Sequence, residues 1–280
     1  MRSAVGECAE ALIADLGINS PDELDVEAIA FDSQVDVVYE AMTGCEASLV
    51  GYRDRAIATI NPCGVRGRER FSVAHELGHW HLHRGRSFRC RVDDPSANLS
   101  SERTLEKEAD SFAAHLLMPR SLFTPMVASF GKPTFQQLTH VAGIFETSIM
   151  ATALRLVNIN TLPVIVACYD SEGRRWAMPD QDIPKRWRLK EKLDEDSFTY
   201  DLLNYGKECI GLSKQPADVW FENNDAAEYE VQEQCLSSTT GSALVLLYLE
   251  SSMFEVGPDW DVGRKYNEYG SFVARRRSAT

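Results

Sequence analysis

The chain has 280 residues, 44% of them hydrophobic and 25% charged, which allows a core of about 150 residues plus a second, smaller unit and matches ordinary soluble globular proteins. Its formal net charge of −13, from 29 Lys and Arg against 42 Asp and Glu, disfavours general attraction to phosphate backbones or anionic lipid surfaces. The seven cysteines (Cys8, Cys45, Cys63, Cys90, Cys168, Cys209 and Cys235) are odd in number and include no C-x-x-C pair, so neither a disulfide framework nor a cysteine metal site is expected.

The opening residues Met1 to Glu7 lack the basic-then-apolar layout of a signal peptide, and no apolar run approaches the roughly 20 residues of a spanning helix. A cytoplasmic protein without membrane attachment is expected. From Ser3 to Leu16, Val5, Ala9, Leu12, Ile13 and Leu16 recur at helical spacing, with Gly17 as a natural stop. Val35 to Tyr39, Ala47 to Tyr52 and Ala56 to Ile60 read as short β segments of a small sheet. A second helix is predicted from about Arg68 to His83, closed by Gly85. One of its lines (Val73, Leu77, Trp80) faces the core, and a second carries Phe71, His75, His79 and Leu82. Arg53, Arg55, Arg66, Arg68, Arg70, Arg84, Arg86, Arg89 and Arg91 crowd this region, which reads as a solvated face or as a means of steering an acidic substrate.

A polar loop, Asp93 to Asn98, precedes a third helix that begins near Ser101. Its stripe is Leu105, Ala109, Phe112, Ala113, Leu116 and Leu117, and Pro119 ends it by restricting Met118. Thr134 to Ala142 and Thr147 to Val157 read as two short helices joined as a helix-turn-helix, with Thr134 and Thr147 as N-caps. Beyond Asn160 the texture changes. Val164 to Tyr169, Trp176 to Met178, Val219 to Phe221, Glu228 to Glu233 and Ala243 to Leu249 read as strands, with Pro184 to Leu193 as a helical candidate.

The pattern His75-Glu76-Leu77-Gly78-His79 carries a direct chemical meaning. Residues four apart on a helix stand one turn above each other, so two imidazoles can grip one ion at about 2.0–2.1 Å each. Glu76 falls on the neighbouring flank, where its carboxylate can hold the reacting water as general base instead of binding the ion. His81 and His83 fall on other faces and read as surface residues. A catalytic zinc site needs a third protein ligand and one open position. The candidates on the third helix are Glu102, Glu106, Glu108 and Asp110. Glu106 adjoins the buried stripe and is the choice. Asp110, one turn on, can accept a hydrogen bond from the far nitrogen of a ligating histidine, and Glu108 points away. Manganese or iron could occupy the same two-His, one-Glu set, so the metal is read as Zn2+, with Mn2+ or Fe2+ as alternatives.

The run Arg70 to His79, followed by Glu106 to Pro119, resembles the ImmA/IrrE metallopeptidases. The resemblance extends from the first helix to Val157 and fades from Asn160 onward. It implies a zincin-like fold, metal binding by His75, His79 and Glu106, and an intracellular endopeptidase that cuts a helix-turn-helix repressor to release stress, DNA-damage or mobile-element genes. Long members of that family carry a C-terminal sensor-like domain of GAF or PAS type, although no matching signature stands in this chain. The expected fold class is therefore α+β: a mainly helical zincin-like metallopeptidase domain with a small sheet (1–128), a helix-turn-helix-like segment (129–160) and a C-terminal α+β domain that senses a signal or recruits substrate (161–280). No oxyanion-stabilising residue is assigned, His115 and His140 being the nearest candidates in the sequence.

Two other classes compete. A DNA-binding regulator would need polar and cationic side chains facing the groove, but Thr147 to Val157 offers only Arg155, so direct DNA binding is not expected. A metal-bearing antirepressor would act on a protein partner without cutting it. Homodimer formation is left open.

Overall fold

In the computed structural model, which describes residues 4–84, 88–90, 100–238, 241–254, 265–266 and 272–273, helix α1 (Ala4–Asp15) buries Gly6, Ala9 and Ile13 along one stripe. Gly17 ends it at φ +67°, a left-handed backbone that glycine adopts at no steric cost. Helix α2 (Val26–Asp32) starts at Asp25, whose carboxylate accepts hydrogen bonds from the Glu27 and Ala28 amides. Its seven residues are too few to show a periodic pattern, and it was not expected. The loop foreseen at Asp93 to Asn98 lies outside the described residues, as do Gly85, Arg86 and Arg91.

Strands β1 (Val35–Tyr39), β2 (Ala47–Tyr52), β3 (Arg55–Ile60) and β4 (Phe88–Cys90) form a sheet in the order β1-β3-β2-β4. β1 runs parallel to β3, and β2 is antiparallel to both β3 and β4. Alternation puts Ala47, Leu49, Ala56, Ala58 and Ile60 on the buried face, with Val50, Tyr52 and Ile57 exposed on the other.

Helix α3 (Arg66–Leu82) differs from the two-stripe expectation in being buried nearly all round, every residue from Ser72 to Trp80 included. Trp80 fixes it to its surroundings, donating from Nε1 to the Ser33 carbonyl at 2.8 Å, while Gly51 of β2 leaves room for the indole. Helix α4 (Ser100–Leu117) packs across α3. At Gly78, an added Cβ would stand 3.0 Å from the Ala109 Cα and 3.2 Å from the Phe112 Cβ. Small residues at the crossing thus set how closely the two helices approach. Helix α5 (Arg120–Ala128) follows Pro119, which serves as its N-cap residue, so the residue that closes α4 also opens the next helix.

Helices α6 (Phe135–Ile144) and α7 (Ile149–Ile159) occupy the expected paired segment. Contacts divide the chain into two units, Met1–Ser129 with His140–Ala151, and Phe130–Thr139 with Thr152–Thr280, so 129–160 contributes to both.

The second unit is built on an antiparallel sheet of β5 (Val164–Asp170), β6 (Gly173–Pro179), β7 (Ser213–Pro216), β8 (Glu230–Ser237) and β9 (Ala243–Leu249), in the order β6-β5-β9-β8-β7. β9 is buried at every position and, with β5, is interior. One face packs Ile165, Ala167, Tyr169, Val245 and Leu247 against Trp187, Trp220 and Phe221. Two expectations fail here. Val219 to Phe221 is not a strand but the end of a 3₁₀ turn (Ala217–Val219) and the residues after it, with Phe221 making a single bridge to Leu189. Pro184 to Leu193 is irregular instead of helical. In both, Trp187, Trp220 and Phe221 are held by the apolar core, and the aromatic content that mimicked a strand reflects burial. Helix α8 (Phe198–Tyr205) docks on this sheet through the buried Glu233. That carboxylate accepts from the Thr199 amide at 2.8 Å and hydroxyl at 2.7 Å, and from Trp220 Nε1 at 3.0 Å. The α+β class is as expected. Among the described residues no helix is long and apolar enough to cross a membrane.

Candidate metal centre

The site lies in the first unit, where α4 crosses α3. His75 and His79, four residues apart, turn their Nε2 atoms toward each other at 3.1 Å. From α4, Glu106 reaches both: Oε2 is 3.2 Å from His75 Nε2, and Oε1 is 3.4 Å from His79 Nε2. Three donors at about 2.0–2.2 Å from one tetrahedral ion stand about 3.3–3.6 Å apart, so this spacing fits a single divalent ion. The donor set of two nitrogens and one carboxylate fits zinc and also tolerates manganese or iron. Among the described residues this is the His, Cys, Asp and Glu cluster with metal-binding geometry.

The electrostatics are those of cation-binding groups drawn together. Burial would lower the His75 imidazole, but hydrogen bonds with Asp110 and Glu106 and the Glu76 charge outweigh it and raise it to about 9. His79 is lowered, mainly by burial, with Glu106 opposing. Burial would raise Glu106, yet its two imidazole partners hold it down at about 2. A carboxylate ionised this far down remains an anionic donor throughout the neutral range. Asp110 Oδ1 stands 2.9 Å from His75 Nδ1, opposite the nitrogen that faces Glu106. Glu76, the residue after His75, is fully buried on α3.

His81 and His83 are not the surface residues expected. His81 stacks on Phe112 with ring centroids 5.5 Å apart and bonds the Ser33 hydroxyl from Nε2. His83 exposes only 6% of its side chain and lies against both His79 and Glu108. Glu108 therefore does not simply project into solvent. The signal was present in the spacing: His83 follows His79 by the same four residues that separate His79 from His75. His115 bonds Glu10 of α1 through Nδ1 at 3.0 Å, and His140 is exposed. Within the arginine-rich run, Arg55 pairs with Asp36, Arg68 with Glu46, and Arg66 and Arg70 with Glu146. Arg70 is the buried member, donating to the Leu24 carbonyl and to Glu146.

Residues 32–157 match the model of the Peptidase_M78 family, described as the IrrE N-terminal-like domain. The radiation response metalloprotease IrrE of Deinococcus radiodurans is 30% identical over 141 residues, covering 48% of this chain and 43% of that protein. The chain therefore spans less than half the length of this relative. A solved structure described as a Mycobacterium tuberculosis transcriptional regulator superposes with a TM-score of 0.57 at 13% identity, over 89% of this chain and 77% of that one, a likeness of fold alone. Residues 32–157 are thus similar to the ImmA/IrrE metallopeptidases.

Proposed function

We propose that the chain is a zinc-dependent endopeptidase in which His75, His79 and Glu106 hold the metal, Asp110 orients His75, and Glu76 is the general base. The observation that carries this reading is the convergence of two Nε2 atoms and both Glu106 oxygens within 3.1–3.4 Å of one another across the α3–α4 crossing. When bound, the metal supplies Lewis-acid polarisation of the scissile carbonyl and makes water acidic enough to react near neutral pH. Glu76 takes a proton from the attacking water as its oxygen bonds to the carbonyl carbon, then delivers that proton to the amide nitrogen as the C–N bond breaks. Full burial of Glu76 keeps bulk water from competing for its carboxylate.

The substrate we propose is a protein, a helix-turn-helix repressor, on the strength of the likeness of residues 32–157 to the ImmA/IrrE metallopeptidases. The radiation response named for the Deinococcus relative agrees with a stress role. The alternative of direct DNA binding is weakened by Arg155, the one cation of α7, which is 1% exposed and so not available to a phosphate backbone. A metal-bearing antirepressor is the remaining competitor.

The deciding experiment uses Glu76→Gln. Cleavage of the candidate repressor, followed by mass spectrometry of fragments, should fall by about 10²–10⁴-fold, while elemental analysis shows metal content close to that of the parent. Retained cleavage sinks the general-base assignment. Cleavage by neither protein, with the repressor nonetheless displaced from its operator by both, favours the antirepressor.

A further inference from the structure

Resting on the metal centre proposed above, we infer that Glu108 and His83 form a hydrogen-bonded chain that positions His79, a counterpart to the direct Asp110–His75 contact. His79 Nε2 faces the cluster, so a lone pair on Nε2 requires the imidazole proton to sit on Nδ1. That Nδ1 lies 3.1 Å from Nδ1 of His83. Two imidazole nitrogens at this separation share one proton, one donating and the other accepting. With His79 donating, His83 accepts at Nδ1 and carries its own proton on Nε2, which stands 2.9 Å from Glu108 Oε2. Each link fixes the next, and the carboxylate at the end of the chain sets the tautomer of both rings. His83 engages both of its nitrogens in this way, which accounts for its standing beside the cluster without being one of the three converging donors.

The two arms have a common design. Each imidazole that points Nε2 at Glu106 is anchored at its far nitrogen by a carboxylate of α4: Asp110 directly for His75, and Glu108 through one intervening ring for His79. The longer arm follows from position. His79 lies one turn further along α3, and His83, the residue that caps that helix, returns its backbone N–H to the His79 carbonyl at 2.9 Å. The ring therefore reaches across the end of the helix to Glu108. A carboxylate anchoring a ligating histidine restricts the ring's rotation and raises its basicity, and losing such a partner typically costs about 10–100-fold in metal affinity.

Zinc affinity of the full chain, measured by competition with a chromophoric chelator, tests the chain of contacts. Glu108→Ala and His83→Phe should each weaken zinc binding by about 10–100-fold, while thermal unfolding of the metal-free proteins reports that the fold is kept. Adding Glu108→Ala to His83→Phe should cost nothing further, because Glu108 acts on the metal only through His83. Glu108→Gln, which keeps an acceptor at similar reach, should recover part of the loss. Parental affinity in Glu108→Ala overturns the inference, as does a double variant whose losses add, or a Gln variant no better than Ala. A parent chain that is folded but binds no zinc overturns the metal centre itself and this inference with it. A tight-binding parent with unaltered variants overturns this inference alone.

Discussion

Each unit sets a glutamate among side chains that hydrogen-bond it, and the two differ in burial and in the kind of partner they face. Glu233, in the second unit, is fully buried and its oxygens are satisfied by the Thr199 amide and hydroxyl and by Trp220 Nε1, so that burial raises its pKa while these donors restrain the shift. It joins α8 to the sheet. Glu106, in the first unit, keeps 42% of its side chain exposed and faces two imidazoles, which hold it well down in the acid range. A buried carboxylate surrounded by fixed N–H and O–H donors is a structural joint. A half-exposed carboxylate facing two imidazole nitrogens is the arrangement that the proposed metal centre requires.

The largest effect that would sharpen this contrast comes from deleting each carboxylate in turn. Glu106→Ala should lower zinc affinity by more than the roughly 100-fold ceiling for an outer partner, and shift metal-free stability by less than about 1 kcal/mol, as for a partly exposed ion pair. Glu233→Ala should do the reverse, leaving zinc affinity intact and costing about 3 kcal/mol or more by stranding several buried donors. Chelator competition and urea unfolding on the same samples check both. A stability loss at Glu106 equal to that at Glu233 would erase the distinction.

A smaller effect is expected at the helix crossing. Gly78→Val places methyls where Ala109 backbone already stands 3.0–3.1 Å from a bare Cβ, so α3 and α4 must part. The expected cost is about 1–3 kcal/mol in unfolding free energy, accompanied by weaker zinc binding, because Glu106 and the histidines lie on opposite sides of that contact. Unchanged metal affinity in a destabilised variant would show that the site tolerates the shift.

The smallest effect concerns Asp180 in the second unit, which is 3% exposed and whose carboxyl is raised to about 7, chiefly by burial and further by the neighbouring Asp182 charge. The folded state thus prefers the neutral acid. Its stabilising contribution is complete below the ordinary aspartate range near about pH 4 and is lost as pH rises through about 7. Asp180→Asn, which cannot ionise, should therefore be more stable than the parent above pH 7 by about 1–3 kcal/mol, a gain that shrinks toward pH 4. Thermal unfolding across that range is the check, and a pH-independent difference would remove titration as its cause.

The likeness to the ImmA/IrrE metallopeptidases was legible in the sequence because its signal is local. His75, Glu76 and His79 lie within five residues, and helical geometry alone puts the two imidazoles on one face. The strands Val35–Tyr39, Ala47–Tyr52 and Ala243–Leu249 were legible for the same reason, each being an apolar run closed by turn residues. Glu106 and Asp110 could be nominated from the stripe on α4, because i, i+4 spacing ties them to the buried residues beside them. What the periodicity could not reveal was determined by contacts between residues far apart in the chain. It misread His83 and Glu108, since a polar residue that is buried by a neighbouring helix has the same local pattern as one facing solvent. It read Val219 to Phe221 as a strand, because aromatic residues are equally apolar whether they pair in a ladder or plug a core. Which imidazole nitrogen faces the cluster, and which carboxylate stands behind it, depends on the distance between α3 and α4, and that distance is set by Gly78 against Ala109, a packing fact that emerges only when the two helices meet.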